Sequence, residues 1–103
     1  NVQMEDILSL HSLIIPNEYN IKKIYPNPFN PVINIEYEIA KLGFISAKIF
    51  NLKGQLIDIL YSGHKNPGNY SITWDGSLQP SGMYLFVLDN NSSALSQKIM
   101  LIK

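Results

Sequence analysis

In Val32-Ile33-Asn34-Ile35-Glu36-Tyr37-Glu38-Ile39-Ala40, VINIEYEIA, apolar and polar side chains alternate from Ile33 to Ile39. Successive side chains of a pleated strand point to opposite faces, so this spacing puts Ile33, Ile35, Tyr37 and Ile39 on a core face and Asn34, Glu36 and Glu38 in water. The same period of two continues downstream. In FISAKIFN, Ile45, Ala47 and Ile49 alternate with Ser46, Lys48 and Phe50, and Leu42-Gly43 before it is expected to be the turn of an antiparallel hairpin with the preceding strand. QLIDILYSG gives a short strand with Asp58 expected outward, and in GNYSITWD the alternation turns Tyr70, Ile72 and Trp74 inward. MYLFVLD carries Tyr84, Phe86 and Leu88 on one face and Met83, Leu85 and Val87 on the other, so both faces of that strand read as covered. ALSQKIMLIK closes the chain as a last strand.

Turn chemistry separates these runs. Leu52-Lys53-Gly54 offers Gly54 for a positive φ, Asn66-Pro67-Gly68-Asn69 makes a loop, and Asp75-Gly76 with Pro80-Ser81-Gly82 brackets another. With a weak strand in YNIKKIY, the count comes to about seven short strands spaced as in an all-β, immunoglobulin-like antiparallel β-sandwich. Connections this short leave no helical crossover and exclude the doubly wound nucleotide-binding folds.

Composition narrows the function. The 103 residues carry eight lysines, no arginine, eight acidic side chains and no cysteine, with 46% apolar and 16% charged residues, enough to fold one small domain. A net charge of zero spread along the chain gives no basic field for nucleic acid. Without cysteine there is no disulfide framework, thiolate metal site or thiol nucleophile. His11 and His64 stand 53 positions apart with no metal-ligand spacing around either, so His64 reads as a solvated loop residue. No GxSxG elbow marks a nucleophilic serine.

Glu36 and Glu38 share a strand face at roughly 7 Å, a glycosidase-like distance, but a wet sheet face supplies no cleft and no desolvation to split their pKa values. Asp75, Asp89 and Asn90 lack calcium-loop spacing and belong to turns. Tyr70, Trp74, Tyr84 and Phe86 could be a sugar platform, yet their period points them into the core. Asn69-Tyr70-Ser71, Asn90-Asn91-Ser92 and Asn91-Ser92-Ser93 match the glycosylation acceptor pattern, which asparagine-rich chains meet by chance. No catalytic, cofactor or metal site is expected.

Two segments stand apart. In Tyr25-Pro26-Asn27-Pro28-Phe29-Asn30-Pro31, three prolines fix φ and remove amide donors, which suits an edge element or a clamp anchored by Phe29. Residues 1–19 contain MEDILSLHSLII, which fits an amphipathic helix and an apolar strand equally well; it reads as a remnant of a preceding domain or a segment packed against this domain or a neighbouring chain. The chain starts on Asn1 with no basic-then-apolar leader and is expected to follow something upstream.

Taken in order, YPNPFNP at 25–31, IFNLKGQLI at 49–57, PGNYSITWDG at 67–76, SGMYLFVL at 81–88 and KIMLIK at 98–103 resemble the C-terminal sorting domain of proteins exported by the bacterial type IX secretion system, a family similar to the immunoglobulin-like module of hook-capping proteins. Two positions depart from the family pattern: Val87, where a basic residue is common, and the proline of Gln79-Pro80. The resemblance spans residues 21–103 and leaves 1–20 as linker or remnant. It implies a non-catalytic address that directs an upstream cargo through the periplasm of a Gram-negative bacterium to the cell surface or medium. The partners it implies are an outer-membrane translocon and a sortase-like peptidase that often cleaves in or near residues 1–24.

The family motif maps onto Pro26, Asn27, Pro28, Gly54, Gly68, Tyr70, Trp74, Asp75, Gly82, Tyr84, Lys98 and Lys103. The glycines and aromatics read as turns and core. The last strand, with unpaired backbone groups, is the expected contact surface. Lys98 and Lys103 serve there either as contacts or as charges that blunt an exposed edge. Self-association through residues 1–19 or edge strands stays open. The competing reading is an immunoglobulin-like spacer or adhesion module retained on the mature protein.

Overall fold

The computed structural model describes residues 18–103, so His11 and the segment MEDILSLHSLII lie outside the described residues. It contains seven strands: β1 (Tyr19–Tyr25), β2 (Val32–Ile39), β3 (Gly43–Asn51), β4 (Leu56–Lys65), β5 (Gly68–Asp75), β6 (Gly82–Asp89) and β7 (Ala94–Leu101). They form two antiparallel sheets, β1-β2-β5 and β4-β3-β6-β7. The second and fifth strands pair in one layer and the third and sixth in the other, as in the immunoglobulin-type sandwich. The expected all-β sandwich of seven strands is therefore the fold.

The alternation that singled out β2 sets the core. Ile33, Ile35, Tyr37 and Ile39 are buried and meet Ile45, Ala47 and Ile49 of β3 and Tyr84, Phe86 and Leu88 of β6, with Ile99 and Leu101 of β7 behind them. Apolar side chains of this size each contribute roughly 1.5–3 kcal/mol when removed from water, which fixes strand register because a one-residue slip would expose the whole set. Tyr84 at the start of β6 donates its hydroxyl to the Pro80 carbonyl at 2.6 Å, the corner tie that recurs at the equivalent strand of immunoglobulin sandwiches.

Four local expectations need correction. β2 and β3 do not form a hairpin: β2 pairs with β1 and β5, β3 with β4 and β6, and the chain at Ala40–Leu42 arches from one layer to the other. Asp58 is exposed, but its carboxylate turns toward the second layer and accepts the Trp74 indole N–H at 3.1 Å. β4 runs ten residues, with register shifts opposite Ala47/Lys48 and Ile49/Phe50 that bring Ile57 and Leu60 against the core and turn Asp58 across. The outer face of β6 is only half-buried at Met83, Leu85 and Val87, and no described element lies over it.

The fourth correction concerns the last strand. β7 is the sheet edge expected of it, yet its C-terminal half is not unpaired. Phe29 donates its N–H to Met100 O at 2.8 Å and accepts from Ile102 N at 2.9 Å, making a parallel bridge to Leu101. The open backbone of β7 is confined to its first half.

Candidate functional site

Because β2 runs away from the proline motif, β3 toward its turn at Asn51 and β6 away from Gly82, one end of the sandwich collects residues 25–31, 51–55, 75–82 and 101–103. We refer to it as the motif end. The chain enters at the opposite end, where Tyr19 pairs with Ile39.

The proline segment is bound to β7 by its one asparagine between two prolines. Asn27 Nδ2 donates to Lys98 O at 3.2 Å and Asn27 Oδ1 accepts from Met100 N at 3.0 Å, so the carboxamide supplies a donor, which Pro26 and Pro28 lack on their backbone, together with an acceptor. Two residues on, Phe29 is 1% exposed and packs its ring on Trp74, centroids 5.7 Å apart. Trp74 in turn meets the Tyr84 ring edge-on at 5.4 Å. Pro31 O accepts the amide of Gly76, and a methyl at Gly76 would come within 3.1 Å of Leu101 Cδ2. The clamp expected of the prolines, with Phe29 as anchor, is what the structure contains.

Loops fasten the rest of the end. Asp75 Oδ1 accepts the Ser77 amide at 2.9 Å, and this backbone hydrogen bond, helped by the Ser77 side chain, lowers the Asp75 pKa. Burial raises the Tyr84 pKa. Gly54 has φ +84°, where an L-residue is strained, and the turn is capped by Asn51 Oδ1, which accepts from Lys53 N and Gln55 N at 2.9 and 3.0 Å. The expected free terminus is tied back: Lys103 N donates to Ser81 Oγ at 3.0 Å and Lys103 Nζ to Ser77 O at 2.7 Å.

Of the motif residues, Pro26, Asn27, Pro28, Gly54, Trp74, Asp75, Gly82, Tyr84, Lys98 and Lys103 thus converge on the motif end. Gly68 and Tyr70 do not. Gly68 pairs with Ile39 at the opposite end, and Tyr70 stacks on Tyr37 at 5.6 Å beneath the Lys65 ammonium, joining the two sheet edges.

The domain matches a known family. The family model of the secretion system C-terminal sorting domain covers residues 23–103. The chain belongs to this family. Its assignment confirms the type IX resemblance carried by the five ordered motifs, and sorting domains of this family are in general non-catalytic. A comparison with curated proteins gives no match. Among solved structures, the sorting domain is similar to part of dimeric latent PorU from Porphyromonas gingivalis, with TM-score 0.61 and 14% identity over 82% of this chain. That likeness is one of fold, and the chain spans 9% of the PorU chain.

Sequence reading missed the surface chemistry of the motif end. Nine large apolar side chains are exposed among the described residues, and only Leu42 and Ile59 lie away from it. Leu78 is 93% exposed, Leu52 61%, Leu56 48% and Ile102 47%; Val32, Tyr25 and Met100 are exposed at the same end. No periodic signal marks them, because they sit in turns and strand ends.

Glu36, Glu38 and His64, also weighed for chemistry, make local contacts of their own. Glu36 accepts the Tyr25 hydroxyl at 2.7 Å, which raises the Tyr25 pKa, and Glu38 pairs with Lys22 at 3.6 Å. The exposed His64 lies edge-on to Phe44 at 5.9 Å. Among the described residues no three potential metal ligands cluster.

Proposed function

We propose that the motif end is the surface by which the type IX machinery identifies this chain as cargo. The observation that supports it is the gathering of exposed apolar side chains at the end where the proline motif and the last strand are hydrogen-bonded together. Exposed apolar side chains gathered at one end of a fold mark partner contact, and here they are displayed on a frame that the proline segment and the last strand make together. The signal is thus a shape made jointly by head and tail.

On this reading residues 21–103 are the sorting domain and 1–20 the link to an upstream cargo. An outer-membrane translocon engages the motif end, the cargo reaches the cell surface or medium, and a sortase-like peptidase cuts before the sandwich. The chain fused behind a periplasmic reporter in a type IX-competent host tests it. Export is expected for the native sequence and loss of export, with the fold intact, for Leu78→Glu with Ile102→Glu. A spacer or adhesion module would tolerate both substitutions.

A further inference from the structure

The two sheets differ in what they show to the outside. The three-stranded sheet presents Asn34, Glu36, Glu38, Ser71 and Thr73. On the four-stranded sheet, register sets Leu56, Phe50, Leu85 and Lys98 in one row and Ile59, Lys48, Val87 and Ser96 in the next. Ile59 is exposed, and Phe50, Leu85 and Val87 are half-buried with no described element over them. Leu56 and Lys98 belong to the motif end as well, and Met100 of the motif end pairs with Met83 beside the first row. The apolar side chains of the motif end thus continue, through Leu56 and Met100, onto the outer face of this sheet.

Charge decides what such a face accepts. Lys48 on β3 and Lys98 on β7 flank Leu85 and Val87 of β6; two strand spacings of about 4.8 Å and a shift of two residues at about 3.4 Å each set their backbones roughly 12 Å apart. Among the described residues neither lysine has a carboxylate within ion-pair distance. Asp89, at the border of this face, is already bound by Ser46 Oγ and Asn91 N. A partner that covered the face with apolar groups alone would bury two unpaired ammonium groups. A second copy stacked on the same face sets two cationic faces together with no free carboxylate on either. An anionic lipid surface is held by clusters of roughly four to eight basic residues, and two fall short of that. The complement that remains is a protein surface with an apolar ridge for Phe50, Leu85 and Val87 and carboxylates on its flanks.

We propose that the partner recognised through the motif end extends over the outer face of the four-stranded sheet and carries carboxylates that pair with Lys48 and Lys98. The inference rests on the motif end being the recognition surface and adds the chemistry of what docks there. Lys48 separates the two claims, because it lies away from the motif end, half-buried between Ile59 and Val87 in the middle of the sheet.

The full chain behind a periplasmic reporter in a type IX-competent host tests it, with Lys48→Gln, Lys48→Glu and Lys48→Arg read beside Leu78→Glu with Ile102→Glu. Lys22→Gln makes the same change in net charge on the three-stranded sheet, where Lys22 pairs with Glu38, and serves as the control. Urea unfolding of each 103-residue chain checks that stabilities match. Export is expected to fall about tenfold for Lys48→Gln and further for Lys48→Glu, where carboxylate meets carboxylate, to recover with Lys48→Arg, and to stay at the native level for Lys22→Gln. Native-level export of Lys48→Glu overturns the proposal; if Leu78→Glu with Ile102→Glu is held back in the same host, the motif-end reading stands without it. Export lost with Lys48→Glu but kept with Leu78→Glu, Ile102→Glu sinks the motif end, and with it the claim that one partner covers both surfaces. Equal loss with Lys22→Gln and Lys48→Gln makes net charge the cause and overturns the pairing. Phosphatidylglycerol vesicles that bind the native chain but not Lys48→Gln put lipid in place of protein, which overturns the partner proposed.

Discussion

Asn27→Ala is the sharpest perturbation of the frame that joins head to tail. It removes the bond to Lys98 O and the bond from Met100 N, at 3.2 and 3.0 Å, and leaves Phe29 as the remaining backbone tie between the proline segment and β7. Each neutral hydrogen bond contributes about 0.5–1.5 kcal/mol net, and exposed ones fall at the low end because water replaces them, so the loss is about 1–2 kcal/mol. For a domain of this size that lowers Tm by roughly 4–12 °C. Asn27→Asp separates hydrogen bonding from packing, since it keeps the acceptor for Met100 N but turns a second carboxylate oxygen toward Lys98 O; it should destabilise at least as much as alanine. Urea unfolding with an unchanged m-value, together with faster amide exchange at Met100 and Ile102, is the assay. Stability within about 0.3 kcal/mol of the native chain for both variants, or unchanged exchange at Met100, would refute the role given to the carboxamide.

Further outcomes follow from the same contacts. Phe29→Ala removes the anchor beneath Trp74 and should cost about 3–5 kcal/mol in chemical denaturation. Tyr84→Phe deletes the 2.6 Å bond to Pro80 O and should cost about 1 kcal/mol with the fold retained, read by the same assay. The Tyr37 pKa is pushed up to about 12, by burial first and by Tyr61 and Tyr70 second. The folded state therefore holds its proton after the unfolded chain, with pKa about 10, has released it, and stability should fall as pH rises from about 10 to 12, an alkaline loss that Tyr37→Phe weakens. Asp75 runs the other way: its lowered pKa gives a contribution present above the ordinary carboxylate range and lost as pH falls through it, so Asp75→Asn should flatten the acid limb of the stability profile.

The strands were legible wherever one face is core and the other wet. β2 shows this best, with Ile33, Ile35, Tyr37 and Ile39 all buried, and β6 follows the same rule at Tyr84, Phe86 and Leu88. Pairing was less legible than periodicity. A short link such as Leu42-Gly43 closes a hairpin or arches between layers equally well, and the choice depends on β1, β5 and β6, which are remote in sequence. β4 was blurred by its register shifts, which break the period of two around Asp58. Ser46, though polar, is 1% exposed, satisfied by Asp89 from the neighbouring strand.

At the site, the proline motif announced a stiff clamp, but its partner could not be read locally. Asn27 and Lys98 are 71 positions apart, and their bond, with the backbone bonds of Phe29 to Met100 and Ile102, turns an expected open terminal strand into a half-closed one. Leu78 belongs to no pattern and Ile102 only to the terminal KIMLIK, whose reading as a strand does not mark it, so it is their exposure in the folded chain that draws them to notice.

Export of the reporter carrying the full chain, compared with its Leu78→Glu, Ile102→Glu counterpart, bears most directly on the function. A native fusion on the cell surface or in the medium and an equally stable variant held in the periplasm is the expected outcome. Equal export of the two, at matched stability, contradicts recognition through the motif end.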